Sequence, residues 1–191
     1  MQRLFSHFKN EKKSTKDSSP QNTSINLFEG QSDFYPVGNQ AEQGKEKVVV
    51  PGLFTCAALI VAYKEKENNE TKIYIAHLPS GGLIGKGDDP RDKFQNELRQ
   101  LKQKADPATI VSFYWSGSND LSSNENNIRE INSLLDLSKS ETSILTGVQA
   151  VSVNLKEMKL IALRKEKVPE KVELAGKFQQ KKLGLGGGSN E

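Results

Sequence analysis

Cys56 and His77 are the two residues whose types and spacing could do chemistry. Cys56 opens the apolar run CAALIVAY, and His77 closes the run KIYIAH. Polar residues 66–71 lie between the two runs and predict a turn, so the runs are expected to pair as an antiparallel hairpin. In such a hairpin the start of the first strand faces the end of the second. We therefore expect the thiol and the imidazole to lie close together, as in a Cys–His nucleophile.

Both residues also have a structural interpretation. Cys56 is the one cysteine of the chain, and a cysteine beside alanine, leucine and isoleucine is often a buried core residue. A histidine at a strand end is as often a hydrogen-bonded structural residue. The bend expected at Pro51–Gly52 favours an exposed thiol at a sheet edge. A loop of small residues follows His77 and could admit a substrate: Ser80, Gly81 and Gly82.

The elements that must position this pair form a segment of about 120 residues, the size of one ordinary domain. Apolar alternation and β-branched content predict strands at 47–50, 55–63, 72–78, 109–115, 148–154 and 158–163. Two amphipathic helices are predicted, one starting at Asp89–Pro90 and one near Asn124. Their buried residues are expected to be Phe94, Leu98 and Leu101 in the first helix and Ile128, Ile131 and Leu135 in the second. This order predicts an α+β fold, with a mixed, largely antiparallel sheet covered by two helices.

Composition places tails on both sides of this domain. Only 35% of the residues are hydrophobic and 7% aromatic, which suggests that part of the chain lies outside the core. We predict a disordered N-terminal arm at 1–45, a catalytic domain at 46–164 and a basic, glycine-ended flexible tail at 165–191. Residues 164–182 contain seven basic and three acidic residues, so the positive charge of the chain is concentrated there.

The sequence also bears on location and assembly. The N-terminal residues lack an uninterrupted apolar segment, and no apolar run approaches the ~20 residues that span a bilayer. We therefore expect a soluble protein with no transmembrane segment and no Sec signal, either cytoplasmic or exported by a specialised system. We also expect a monomer. The basic tail has mixed charges and Phe178 as its single aromatic residue, which does not favour nucleic-acid binding.

The stretches GLFTCAALIVAY and IYIAHLP resemble the cysteine-dependent glutamine deamidases. That superfamily groups the chemotaxis receptor deamidase with bacterial toxins of the cytotoxic necrotizing factor and lethal factor type. Its members place the nucleophilic cysteine at the start of a strand, after a short turn, and the histidine on the following strand. The resemblance covers residues 48 to about 82. It implies that the protein is a glutamine deamidase of a target protein, and that it is a secreted bacterial effector or toxin.

Two positions depart from the family pattern. Thr55 stands where the family has Gly or Ser before the cysteine, and Val50 stands where the chemotaxis enzyme has threonine. In some toxins of the superfamily a valine carbonyl orients the histidine. The resemblance therefore implies the carbonyl of Val50, or of Val49, as the third catalytic group.

The implied chemistry assigns a role to each residue. Hydrolysis of a carboxamide needs a nucleophile, a proton donor for the departing ammonia, and stabilisation of the oxyanion. We expect a His77 imidazolium to lower the pKa of Cys56 below the ~8.5 of a free thiol. His77 would then protonate ammonia and activate water. The backbone N–H groups of Thr55 and Cys56 are the expected oxyanion donors. No metal or organic cofactor is required, and the sequence has no Cys or His cluster for zinc.

Other functions remain open on the sequence alone. The same Cys–His pair serves peptidases and other amidases, and attack of an amine on the thioester would give a transglutaminase. A non-catalytic interaction module is also compatible with the sequence, with its basic tail binding an acidic partner.

Overall fold

The computed structural model describes residues 24–80, 90–138, 140–165 and 168–182. Within these residues the chain forms ten strands and three α-helices. The strands are β1 (Ser24–Asn26), β2 (Ser32–Pro36), β3 (Lys47–Val50), β4 (Ala57–Lys64), β5 (Thr71–Leu78), β6 (Val111–Ser116), β7 (Thr142–Leu145), β8 (Val148–Asn154), β9 (Lys159–Arg164) and β10 (Glu170–Glu173). The helices are α1 (Pro90–Lys104), α2 (Leu121–Leu135) and α3 (Leu174–Lys182).

The strands form two five-stranded sheets. The first sheet has the order β1-β3-β8-β9-β10, and the second has the order β2-β5-β4-β6-β7. The pairs β1–β3 and β6–β7 are parallel, and the other pairs are antiparallel. The α+β class and the largely antiparallel pairing are thereby confirmed. The strands divide between two sheets rather than joining in one, because β3, β8 and β9 pair with one another and not with β4, β5 or β6.

The second sheet is the middle layer of the fold. Its face toward the first sheet carries Ala58, Ile60 and Ala62 of β4, and these pack with valines of β3 and β8. Its other face carries Leu59 and Val61, which pack against α1 and α2. Strand β4 is therefore buried on both faces, which explains its continuous apolar sequence.

The two predicted helices are present and bury the expected residues. Phe94, Leu98 and Leu101 of α1 are fully buried against the second sheet. Ile131 of α2 is also fully buried, and Leu135 is 2% exposed. Helix α2 begins at Leu121, a few residues before the predicted start. The Asp120 carboxylate accepts the Ser122 N–H and so caps the helix. Asp89, the predicted cap of α1, lies outside the described residues.

The N-terminal boundary of the domain was placed too late. Residues 24–45, predicted to belong to the disordered arm, contain β1 and β2. Strand β1 pairs with β3, and β2 pairs with β5 along its whole length. Leu27, Tyr35 and Val37 are buried in the core between the sheets. Residues 1–23 of the predicted arm lie outside the described residues.

The predicted flexible tail also contains ordered structure. Strand β10 pairs with β9, and α3 follows it directly. Leu174 is buried in the core between the sheets. The Lys181 ammonium donates to the Ile110 carbonyl and forms an ion pair with Glu141 at 2.9 Å. Residues 166–167 and 183–191 of the predicted tail lie outside the described residues.

Leu174 tests whether the C-terminal segment belongs to the domain. We expect Leu174→Ala to lower the free energy of unfolding by about 2–4 kcal/mol, because it opens a cavity in the core. The matched control is Val168→Ala, since Val168 is 88% exposed and its loss should cost less than about 0.5 kcal/mol. Urea unfolding of both variants measures the difference. Equal stabilities would show that the segment does not contribute to the fold.

Candidate functional site

Cys56 lies directly before β4, at the end of the crossover from the first sheet to the second. This crossover, residues 51–56, is bonded to both sheets. The Leu53 N–H donates to the Gln149 carbonyl of β8 at 3.0 Å, and the Gly117 N–H after β6 donates to the Cys56 carbonyl at 3.0 Å. Leu53 is fully buried. The position of Cys56 is therefore fixed by bonds from two layers.

Gly117 allows the crossover to pack against the backbone after β6. A Cβ atom placed on Gly117 would lie 1.2 Å from the Leu53 carbonyl oxygen and 2.9 Å from the Phe54 carbonyl carbon. Both atoms belong to the backbone, so they cannot move aside as a side chain would. Glycine is the residue that this close approach requires. The turn before Cys56 thus depends on Gly117, which lies 61 positions later in the sequence. The two segments meet through their backbones, and no local sequence pattern reveals such a contact.

His77 lies on β5, directly opposite Ala58 of β4. Cys56 precedes Ala58 by two residues, and it packs with the core between the two sheets. Cys56 and Ala58 pack in the same core, and His77 is opposite Ala58, so Cys56 and His77 lie on the side of the second sheet that faces the first sheet. The predicted antiparallel pairing is confirmed. Both side chains are buried, Cys56 at 6% and His77 at 3% exposure, so the expected exposure of the thiol was wrong.

The His77 ring has one bonded nitrogen and one free nitrogen. Its Nδ1 lies 3.1 Å from the Leu27 carbonyl oxygen. A carbonyl only accepts hydrogen bonds, so Nδ1 carries the proton of the neutral ring. Nε2 is buried and has no hydrogen-bond partner among the described residues. The ring therefore presents a buried, unprotonated nitrogen, the form that a general base needs, and the Cys56 thiol does not hydrogen-bond to it in this structure.

A tight turn between β1 and β2 packs against His77 and carries Glu29. The Gly30 N–H donates to the His77 carbonyl at 3.0 Å, and the His77 N–H donates to the Gln31 carbonyl at 2.9 Å. The Gln31 N–H closes the turn on the Phe28 carbonyl at 3.0 Å. Gly30 has a φ of 82°, which a type II turn requires at its third residue. The turn thus fixes Glu29 at the His77 end of the second sheet.

The surroundings of Cys56 favour the neutral thiol. Burial raises the pKa of the Cys56 thiol, and the negative charge of Glu29 raises it further. Hydrogen bonds from the Thr55 hydroxyl and from the Ser80 backbone N–H act in the opposite direction without reversing the shift. The expected lowering of this pKa by an imidazolium was therefore wrong. Desolvation disfavours a charged sulfur more strongly than its two hydrogen-bond donors stabilise it.

The surroundings of His77 favour the neutral imidazole. Burial lowers the pKa of His77, while the Leu27 carbonyl and the charge of Glu29 partly oppose this shift. The ordinary pKa of histidine is 6.5, so the ring is neutral at pH 7. The site at rest therefore holds a neutral thiol and a neutral base rather than a thiolate–imidazolium pair.

The carbonyl that orients the His77 ring belongs to Leu27 and not, as expected, to Val50 or Val49. Val50 pairs with Val151 in the first sheet, and the carbonyl that holds His77 Nδ1 belongs to Leu27. The Val49 carbonyl binds Leu27 rather than His77, because it accepts the Leu27 N–H at 2.9 Å. Leu27 was missed because it lies in the segment predicted to be disordered.

The remaining predicted residues surround the thiol in different ways. Thr55 is exposed and its hydroxyl bonds to the Cys56 thiol, while Ser80 reaches the thiol with its backbone N–H. Among the backbone hydrogen bonds of the described residues, none is donated by the N–H of Thr55 or Cys56. Gly81 and Gly82 lie outside the described residues. Glu29 was not predicted, and Gly30 is the turn signal that sequence reasoning could have used.

A scan of protein-family profiles and a search of curated proteins found no match to the chain. None of the described helices has the length and apolar content that crossing a bilayer requires. The described residues also contain no group of three or more Cys, His, Asp or Glu side chains that could bind a metal ion.

Gly117 tests the construction of the crossover. We expect Gly117→Ala to lower the free energy of unfolding by about 3 kcal/mol or more, because the new methyl group overlaps the Leu53 backbone. The matched control is Gly176→Ala in α3, where an added Cβ meets no atom within 4 Å. That change should stabilise the helix by about 0.5–1 kcal/mol. Thermal and urea unfolding measure both. A Gly117→Ala protein as stable as the wild type would contradict the described packing.

Proposed function

We propose that the protein is a cysteine-dependent glutamine deamidase, with Cys56 as nucleophile and His77 as general acid and base. The observation that carries this proposal is the state of the His77 ring. Its Nδ1 proton is held by Leu27 and its Nε2 is a buried, unpartnered base, on the same sheet face as the only thiol of the chain. Most buried polar side-chain atoms have a hydrogen-bond partner, so a buried nitrogen without one calls for an explanation, and a catalytic role supplies it.

The first half of the reaction transfers the acyl group to sulfur. The Cys56 sulfur attacks the carboxamide carbon of a glutamine side chain, and the thiol proton passes to His77 Nε2. The carbonyl electron pair moves to oxygen and forms an oxyanion. We assign the N–H groups of Thr55 and Cys56 to stabilise that charge, since no backbone carbonyl among the described residues accepts from them. The His77 imidazolium then gives its proton to nitrogen, the C–N bond breaks, and ammonia leaves a thioester on Cys56.

The second half restores the enzyme. His77 Nε2 accepts a proton from water as the water oxygen attacks the thioester carbon. The C–S bond breaks, the proton returns to sulfur, and the glutamine side chain has become glutamate. A neutral resting pair supports this sequence, because His77 removes the thiol proton only as the C–S bond forms. An amine in place of water would instead give a cross-linked product.

The substrate class follows from the resemblance of residues 48–82. We propose that the target glutamine belongs to a host or signalling protein, and that the protein acts as a secreted bacterial effector. Peptide-bond hydrolysis by the same pair is the alternative reaction. The two are separated by their products, since deamidation leaves the polypeptide intact.

The experiment that tests this function compares three proteins on one substrate pool. Native eukaryotic and bacterial lysates are incubated with the wild type, Cys56→Ser and His77→Ala, and peptides are examined by mass spectrometry. We expect Gln-to-Glu conversion at specific sites with the wild type. Conversion should fall about 10²–10⁴-fold with His77→Ala and at least as far with Cys56→Ser.

Circular dichroism of each variant controls for folding. Conversion that is equal in the wild type and in Cys56→Ser, or absent from all lysates, contradicts the proposal. New peptide termini that depend on Cys56 would instead identify a peptidase.

A further inference from the structure

We infer that Glu29 is a third functional group of the site, which stabilises the imidazolium that forms on His77 during attack. This inference rests on the proposed function. It assigns a role to a residue outside the Cys–His pair and outside the segment 48–82 that carries the resemblance.

The geometry that carries this inference is the attachment of the turn to His77. Glu29 lies between Leu27, whose carbonyl holds Nδ1, and Gly30, whose N–H bonds the His77 carbonyl. The Gln31 carbonyl accepts the His77 N–H, and the Gln31 side-chain oxygen accepts the Phe28 N–H at 2.9 Å. Every polar group of His77 that has a partner is thus bonded to residues 27–31. The turn cannot move away from the ring without breaking these bonds.

Glu29 is an exposed residue whose carboxylate accepts a hydrogen bond from the Cys56 thiol, and its charge acts on both Cys56 and His77. Its carboxylate disfavours a negative Cys56 sulfur and favours a positive His77 ring. Among the described residues it is the one charged side chain that shifts both groups. Tyr114 of β6 also lies near the thiol, but burial raises its pKa, and it is neutral at pH 7. Glu29 therefore stabilises a state in which the His77 ring is positive and disfavours a state in which the Cys56 sulfur is negative.

Attack moves the charges in the direction that Glu29 favours. At rest, sulfur and imidazole are both neutral. As the C–S bond forms, the proton reaches Nε2, sulfur remains neutral in its new bond, and the negative charge goes to the substrate oxygen. The ring becomes positive while the sulfur never carries a full negative charge. Glu29 consequently stabilises the transition state more than the resting state, which is the condition for a catalytic effect.

Glu29 has the opposite effect on alkylation of Cys56 by iodoacetamide. This reagent reacts with the free thiolate, which Glu29 disfavours. Replacing Glu29 by glutamine should therefore accelerate alkylation and slow deamidation. A role limited to holding the turn would change both rates in the same direction, or neither.

The test compares Glu29→Gln with Glu42→Gln, an exposed carboxylate that pairs with Lys45 at 2.9 Å. The iodoacetamide rate of Cys56 is measured against pH, and deamidation is measured at pH 7 on a site found for the wild type. We expect Glu29→Gln to move the alkylation midpoint to lower pH, with a rate about three- to tenfold higher at pH 8. Deamidation should fall by a similar factor. Glu42→Gln should match the wild type in both.

An unchanged alkylation midpoint in Glu29→Gln overturns the inference, and so does deamidation at the wild-type rate. The alkylation arm needs no substrate, so it decides on Glu29 even if the wild type deamidates nothing. A wild type that deamidates nothing, together with a shifted alkylation midpoint in Glu29→Gln, would count against the proposed deamidase. It would still establish the charge coupling of Glu29 to the thiol.

Discussion

The hydrogen bond from His77 Nδ1 to the Leu27 carbonyl is the interaction on which the site depends. It orients the ring and leaves Nε2 as the unprotonated nitrogen, because a carbonyl can only accept. The same segment connects the two sheets. The Leu27 N–H bonds Val49 in the first sheet, while Gly30 and Gln31 bond the His77 backbone in the second. One short turn therefore fixes the base, its tautomer and a nearby carboxylate.

The sequence predicted those elements whose burial appears in their own residue pattern. Strands β4 and β5 are buried on both faces, so each reads as a continuous apolar run. Helix α1 buries Phe94, Leu98 and Leu101, which follow the helical period. The antiparallel pairing of β4 with β5 followed from the turn between them.

The parts that sequence reasoning missed depend on contacts distant along the chain. Strands β1 and β2 are only three and five residues long, and they form because β3 and β5 offer free edges to pair with. Leu27 and His77 are 50 positions apart, so no local pattern joins them. The directions of the pKa shifts were missed for the same reason. Desolvation of Cys56 comes from the packing of whole layers, whereas the sequence shows only that a histidine is available.

The most direct test of this account is the tautomer of His77, measured by ¹⁵N NMR of labelled protein between about pH 5 and pH 8. The account predicts a neutral ring at pH 7, with the proton on Nδ1 and a bare Nε2. It also predicts a titration midpoint below the ordinary value of 6.5, because burial disfavours the charged ring. An imidazolium that persists at pH 7 would contradict the account, since it would mean a resting ion pair with Cys56. A proton on Nε2 of the neutral ring would contradict it equally, because the base would then be absent.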